Sequence, residues 1–114
     1  MSLGSALLRG VYKLSGVKKA FSLPEEELLK AIAKANRGRG FFMPADRKAF
    51  YEKKMVLGHP CLVVRAGETP AKRAILFFFG GGMVIGPDKW DAAVLRKLCF
   101  GSDSDVWFPI YPLC

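Results

Sequence analysis

Near the start of the chain, Leu7, Val11, Leu14, Val17 and Phe21 recur at intervals of four and three, the period of one helix face, and Arg9, Lys13, Lys18 and Lys19 fall between them. This pattern predicts a basic amphipathic helix, weakened by Gly10 and Gly16. A second helix is signalled more completely. Ser22 followed by Glu25 makes a capping box, Pro24 suits the first turn, and Glu25, Glu26 and Glu27 favour the positive end of the helix dipole. Leu28, Leu29 and Ile32 supply its apolar face, Lys34 and Arg37 suit its last turn, and Gly38 or Gly40 ends it.

The period changes after the connector "RGRGFFMPADR". "FYEKKMVL" and "CLVVR" flank the turn-forming cluster "GHP", which predicts an antiparallel hairpin with His59 in its turn. After the loop "ETPAKR" comes "AILFFF", apolar at every position, as expected of a sheet strand covered on both faces. Three glycines follow. Asp88 and Asp91 predict the cap of a third helix whose buried stripe would be Trp90, Val94, Leu95 and Leu98, closed by Gly101. "SDSD" is then a turn and "VWFPIYP" a second apolar strand, so residues 74 to 112 predict a βαβ unit. Pro109 inside that last strand removes one ladder donor.

Composition narrows the class. In 114 residues, 51% are hydrophobic and 12% aromatic, enough for one packed domain and too many for a disordered chain. The net charge of +8 is uneven, since twelve of the eighteen Lys/Arg but only five of the ten Asp/Glu lie in residues 1–54. That leaves binding to a nucleotide or an anionic membrane surface by the basic half as an alternative function. Two Arg-Gly steps are too few for an RNA-binding segment, and no nucleic-acid partner is expected. Cys61, Cys99 and Cys114 are odd in number and lack metal-site spacing, so no metal and no cofactor is expected. No signal peptide or membrane span is evident, and a cytoplasmic protein is the expectation.

The glycines carry the candidate chemistry. Consecutive glycines after a buried strand mark a place where the main chain must come close to something. Gly80, Gly82 and Gly86 resemble a dinucleotide loop in spacing, yet no acidic residue ends the second strand to hold a ribose, and Asp103 and Asp105 lie at its wrong end. No Gly-Lys-Ser/Thr follows, which excludes a P-loop. The remaining use is an oxyanion hole, in which main-chain N–H groups meet developing negative charge.

"AILFFFGGGMVIG", the helix after it and "DVWFPIYPLC" together resemble the "HGGG…DYRLAPE" block of the α/β-hydrolase fold in the hormone-sensitive-lipase-like esterase family. The resemblance covers about residues 50–114. It implies an α/β fold in which residues 46–114 form the N-terminal part of the hydrolase core, an antiparallel hairpin followed by a βαβ unit, and residues 1–45 a helical cap-like segment. It implies further that Gly81 and Gly82 supply oxyanion-hole N–H groups, shaped by Phe79, Gly80 and Met83. Phe79 stands where the family has histidine, and Met83 where it often has an aromatic residue. Ile110 and Pro112 replace an aspartate and an arginine, while Tyr111 and Leu113 match.

No G-x-S-x-G nucleophile elbow occurs, so no catalytic residue is assigned within the chain. The expectation is an N-terminal fragment of a carboxylic-ester hydrolase, inactive alone and acting in its parent on a small-molecule ester. Its apolar strand would meet a missing C-terminal half or a second copy. A non-catalytic half-fold that serves as an interaction module is the other alternative.

Overall fold

Four strands, two of them from a tight hairpin and two from a βαβ unit, make the sheet that positions the glycine loop. The computed structural model describes residues 3–14, 22–81 and 83–114. Contacts divide the chain into two units, Met1–Ala35 and Asn36–Cys114. The first holds α1 (Leu3–Leu14) and α2 (Glu25–Ala35). Val17 and Phe21, expected on the first helix, lie outside the described residues. On α1, Leu7 and Leu8 are both exposed. In α2, the Leu28 N–H donates to the Pro24 carbonyl at 2.9 Å, opening the helix where the sequence predicts it. The three glutamates occupy its first turn. Leu28 and Ile32 are half-buried, but Leu29, expected on the same face, is exposed. Among the described residues, no helix is long and apolar enough to cross a membrane.

The second unit contains β1 (Phe50–Val56), β2 (His59–Arg65), β3 (Ala74–Leu76), α3 (Asp91–Ser102) and β4 (Asp105–Pro109). Strand order is β1-β2-β4-β3, with β1/β2 and β2/β4 antiparallel and β3/β4 parallel. The hairpin and the βαβ unit therefore share one sheet, as the sequence predicts. His59 corrects one detail. It pairs with Val56 as the first residue of β2, and the turn is Leu57-Gly58. Both turn residues have positive φ, 51° and 80°, which is type I′ geometry. Glycine accepts that backbone freely, whereas leucine does so at a cost of about 1–2 kcal/mol. Leu57 is also almost fully exposed. Leu57→Asn is expected to raise stability by about 1 kcal/mol, read as a higher urea midpoint; an unchanged or lower midpoint would contradict the turn assignment.

The core lies where alternate residues of the central strands meet α3. Leu62 faces Phe108 across the β2/β4 pair and Val64 faces Val106, and all four are fully buried. Leu95 and Cys99 of α3 and Phe79 complete the cluster. The cap expected from Asp88 and Asp91 is displaced: the N-cap is Trp90, with no side-chain cap bond. The aspartates fasten the turn before the helix, the Asp88 N–H donating to Asp91 Oδ2 at 3.0 Å and Asp88 Oδ1 accepting from the Trp90 N–H at 2.9 Å. Its buried stripe differs from the predicted one. Ala92, Leu95 and Cys99 are buried, whereas Trp90 and Val94 are exposed, because the helix rotates its small Ala92 and Cys99 toward the sheet. Gly101 does not close the helix either. The left-handed residue is Asp103, φ 50°, and a Ser104 N–H bond to the Cys99 carbonyl ends the turn.

The strand β3 is shorter than "AILFFF" suggests and lies at the edge of the sheet. Ile75, Phe77 and Phe79 turn inward, while Leu76 is 61% and Phe78 56% exposed. The expectation of cover on both faces thus fails in this chain for one face. Pro109 is accommodated because β4 ends there, opposite Cys61 and beyond the β3 ladder, which stops at Leu76/Trp107. At the other end of β4, the buried Asp105 carboxylate accepts from Arg65 Nε at 3.4 Å and from the Ala71 N–H at 3.1 Å. It therefore anchors a loop, and it pairs with Ala74 at the amino end of the parallel strands.

Candidate functional site

Three chain segments meet where β3 and β4 end: the glycine loop after β3, the tail after β4, and residues 36–40. In open α/β sheets, ligand-binding crevices form outside the carboxyl ends of the parallel strands. The loop begins at Phe79, which is buried and stacks on Tyr111, with ring centroids 4.2 Å apart and planes within 3°. Tyr111 also donates its hydroxyl proton to the Phe79 carbonyl at 2.8 Å. One side chain thus grips the strand end by ring and by hydroxyl, so apolar stacking holds the loop at Phe79.

Beyond it the chain reverses at Gly81. Its carbonyl accepts from the N–H groups of Val84 at 3.2 Å and Ile85 at 3.1 Å. Its φ of 137° is open only to glycine, and a Cβ there would collide with the Ile85 carbonyl oxygen. Gly80 is unconstrained by comparison, since a Cβ there would meet nothing within 4 Å and its backbone angle is ordinary. Met83 takes φ 62° and leaves its side chain mostly in solvent. Gly82 lies outside the described residues. Gly80 and Gly81 are both exposed, and among the described residues no hydrogen bond engages either N–H. Such donors, unshielded by side chains, can meet an anionic oxygen.

The far side of the loop is fastened by side chains that sequence reasoning did not single out. Asn36 Nδ2 donates to the Val84 carbonyl at 2.7 Å while Asn36 Oδ1 accepts from the Gly86 N–H at 2.8 Å. The amide therefore mimics a strand neighbour for two alternate loop residues. Arg39 donates to the Gly86 carbonyl at 3.1 Å and pairs with Asp88 at 3.0 Å. The Gly40 N–H reaches the Pro87 carbonyl, and the Cys114 N–H the Met83 carbonyl. The "RGRG" stretch, too short for an RNA-binding segment, thus contributes at least one arginine to holding the loop. No local signal marks Asn36, since its partners lie about fifty residues away. Tyr111→Phe keeps the stack and loses the hydroxyl bond; the expected cost is about 1 kcal/mol, with faster hydrogen exchange at residues 79–81. Unchanged exchange there would show that the bond does not hold the loop.

The chain's other reactive groups do not gather at the glycines. Ser104 is buried at the opposite end of β4, bonded to the Ser102 carbonyl, and Ser102 bonds the Leu98 carbonyl. His59 is exposed at the start of β2, with β4 between it and β3. Cys61 and Cys99 are free and buried, and burial pushes both thiols up; Asp105 adds to the effect at Cys99. Cys114 is free and exposed. Among the described residues, no group of three His, Cys, Asp or Glu side chains could hold a metal ion.

No protein-family model matches the sequence, and no curated protein matches it. Solved structures do match. The chain is similar to an esterase/lipase from an uncultured bacterium, with a TM-score of 0.64 at 21% identity over 99% of this chain and 36% of that one. It is similar to the esterase EstE5, soaked with p-nitrophenyl butyrate, with a TM-score of 0.62 at 19% identity over 99% and 36%. An esterase from the bacterial hormone-sensitive lipase family gives 0.52 at 19% identity over 87% and 33%. The shared feature is the fold: the four-stranded sheet and its helices are the N-terminal part of the architecture of these esterases. The chain spans about a third of the length of the structures it matches.

Proposed function

We propose that this chain supplies the oxyanion-binding portion of a carboxylic-ester hydrolase whose nucleophile, acid and histidine come from polypeptide outside these 114 residues. One observation carries the reading: a turn that requires glycine, with exposed and unengaged N–H groups, at the carboxyl end of a parallel strand just before a helix. In this role the N–H groups of Gly81 and Gly82 donate to the oxyanion that forms when a hydroxyl attacks the acyl carbon. Phe79, Gly80 and Met83 shape the approach, and Tyr111, Asn36 and Arg39 keep the loop from relaxing. Preorganised donors of this kind matter because they need no reorientation as charge develops. A short acyl ester is the natural first substrate, since EstE5 was soaked with one.

The test has two parts. The intact mass of the polypeptide in its native cell shows whether the chain is joined to a further segment; hydrolysis of p-nitrophenyl esters by that polypeptide, abolished by a serine-directed inhibitor, is the expected result. A native mass matching these 114 residues, with no ester hydrolysis, would sink the reading.

A second reading rests on the β3 edge. Leu76 on β3 and Phe78 just beyond it are exposed in a stretch that carries no charge from Ala74 to Met83, and the groove along the strand is lined by Ala74, Ile75, Leu76 and Trp107. Such an edge invites pairing with another strand. The isolated 114-residue chain then self-associates, and Leu76→Lys restores the monomer in sedimentation equilibrium. A monomeric unmodified chain would remove this reading.

A further inference from the structure

A groove of about 490 Å³ lies between the connector before β1 and the first turns of α3, and none of its lining residues belongs to the glycine loop. Its banks are apolar: Phe42, Met43 and Pro44 on one side, Trp90 and Ala93 on the other. Met43 is 48% and Trp90 74% exposed, so the groove stands open with its largest apolar side chain turned to water.

Its charges differ in kind. Arg96 is spoken for, since its Nη1 pairs with Asp46 at 2.8 Å and lies 3.3 Å from the Tyr51 hydroxyl, which in turn donates to Asp46 at 2.6 Å. The hydrogen bond from Tyr51 holds the Asp46 carboxyl below its usual range, while burial, with Asp46 adding to it, pushes Tyr51 up. The triad is a closed polar floor without net charge. Lys89 is the uncompensated cation. Among the described residues, no carboxylate pairs with it, and its ammonium sits 5.3 Å from the centre of the Trp90 ring. An apolar trough with one free positive charge at its rim matches a ligand with one negative charge and an aliphatic body. The volume falls within the range of small-molecule sites, about 300–1,000 Å³.

We propose that this groove binds a medium-chain aliphatic carboxylate, with the chain along Phe42, Met43 and Trp90 and the carboxylate at Lys89. The proposal does not depend on whether the glycine loop binds an oxyanion.

Isothermal titration of the 114-residue chain with octanoate, decanoate and dodecanoate, each below its critical micelle concentration, tests it. Saturable binding is expected, tightening by up to about fourfold for each methylene buried. Lys89→Glu is expected to weaken decanoate by about fivefold and leave decanol unchanged, while Trp90→Ala weakens both. Both side chains are exposed, so an unchanged thermal midpoint certifies that the variants fold. Absence of saturable dodecanoate binding overturns the proposal, as does decanoate binding indifferent to Lys89→Glu. Binding to phosphatidylglycerol vesicles without binding to free dodecanoate also overturns it, by making the occupant a lipid surface.

Discussion

Phe108→Ala is expected to destabilise the unit Asn36–Cys114 by about 3–5 kcal/mol, a large part of the roughly 5–15 kcal/mol that holds a typical domain together. Phe108 is fully buried on β4 and is the meeting point of three other aromatic rings: Phe42 at 6.3 Å, Phe77 at 5.9 Å and Phe79 at 5.9 Å between centroids. These rings come from the connector, the residue after β3 and the start of the glycine loop, so the cavity would loosen all three at once. The measurement is the urea midpoint, with Phe100→Ala as the control, because Phe100 is 54% exposed on α3. A loss near 1 kcal/mol, no larger than an average substitution gives, would show that Phe108 is not the centre of the packing.

Gly81→Ala is expected to lower ester turnover by about 10²–10³ in the polypeptide that joins this chain to its nucleophile, the size of effect that follows loss of one oxyanion donor. A methyl group at position 81 meets the Ile85 carbonyl, and φ of 137° is closed to alanine, so the turn must open and swing the N–H away. Gly80→Ala is the comparison, since its Cβ would meet nothing within 4 Å. The two variants should therefore separate in kcat while sharing a similar KM. Equal losses at 80 and 81 would contradict the assignment of the turn to Gly81.

Much of the fold is legible locally. The start of α2 follows from proline and three glutamates at the right end of the dipole, and the turn that leads into α3 from Asp88 and Asp91, although the N-cap itself falls at Trp90. The hairpin is legible because β-branched and aromatic residues flank a glycine turn, although the turn sits one position earlier than the pattern suggests, at Leu57-Gly58. That slip has a reason. A type I′ turn asks for positive φ at two adjacent residues, and leucine hides such a request where asparagine would have announced it.

The stripe of α3 departs from its pattern for a different cause. The helix carries apolar residues around much of its circumference, so periodicity alone does not say which set faces the sheet. Only the packing against Leu62, Val64 and Phe108 selects Leu95 and Cys99 and leaves Trp90 and Val94 outside.

The sequence by itself determined the element types, the order of hairpin and βαβ unit, and the place of the glycine turn, because each depends on residues within a few positions of one another. The tertiary structure alone decided what holds that turn. Tyr111 grips Phe79 from thirty-two residues away, and Asn36 brackets Val84 and Gly86 from forty-eight and fifty. It also decided that Leu76 and Phe78 stand uncovered and that Lys89 is left without a carboxylate partner, among the described residues, beside an apolar groove. These are matters of which segments meet, and meetings across such separations are set by the burial of Phe108 and its neighbours in one core rather than by any local pattern.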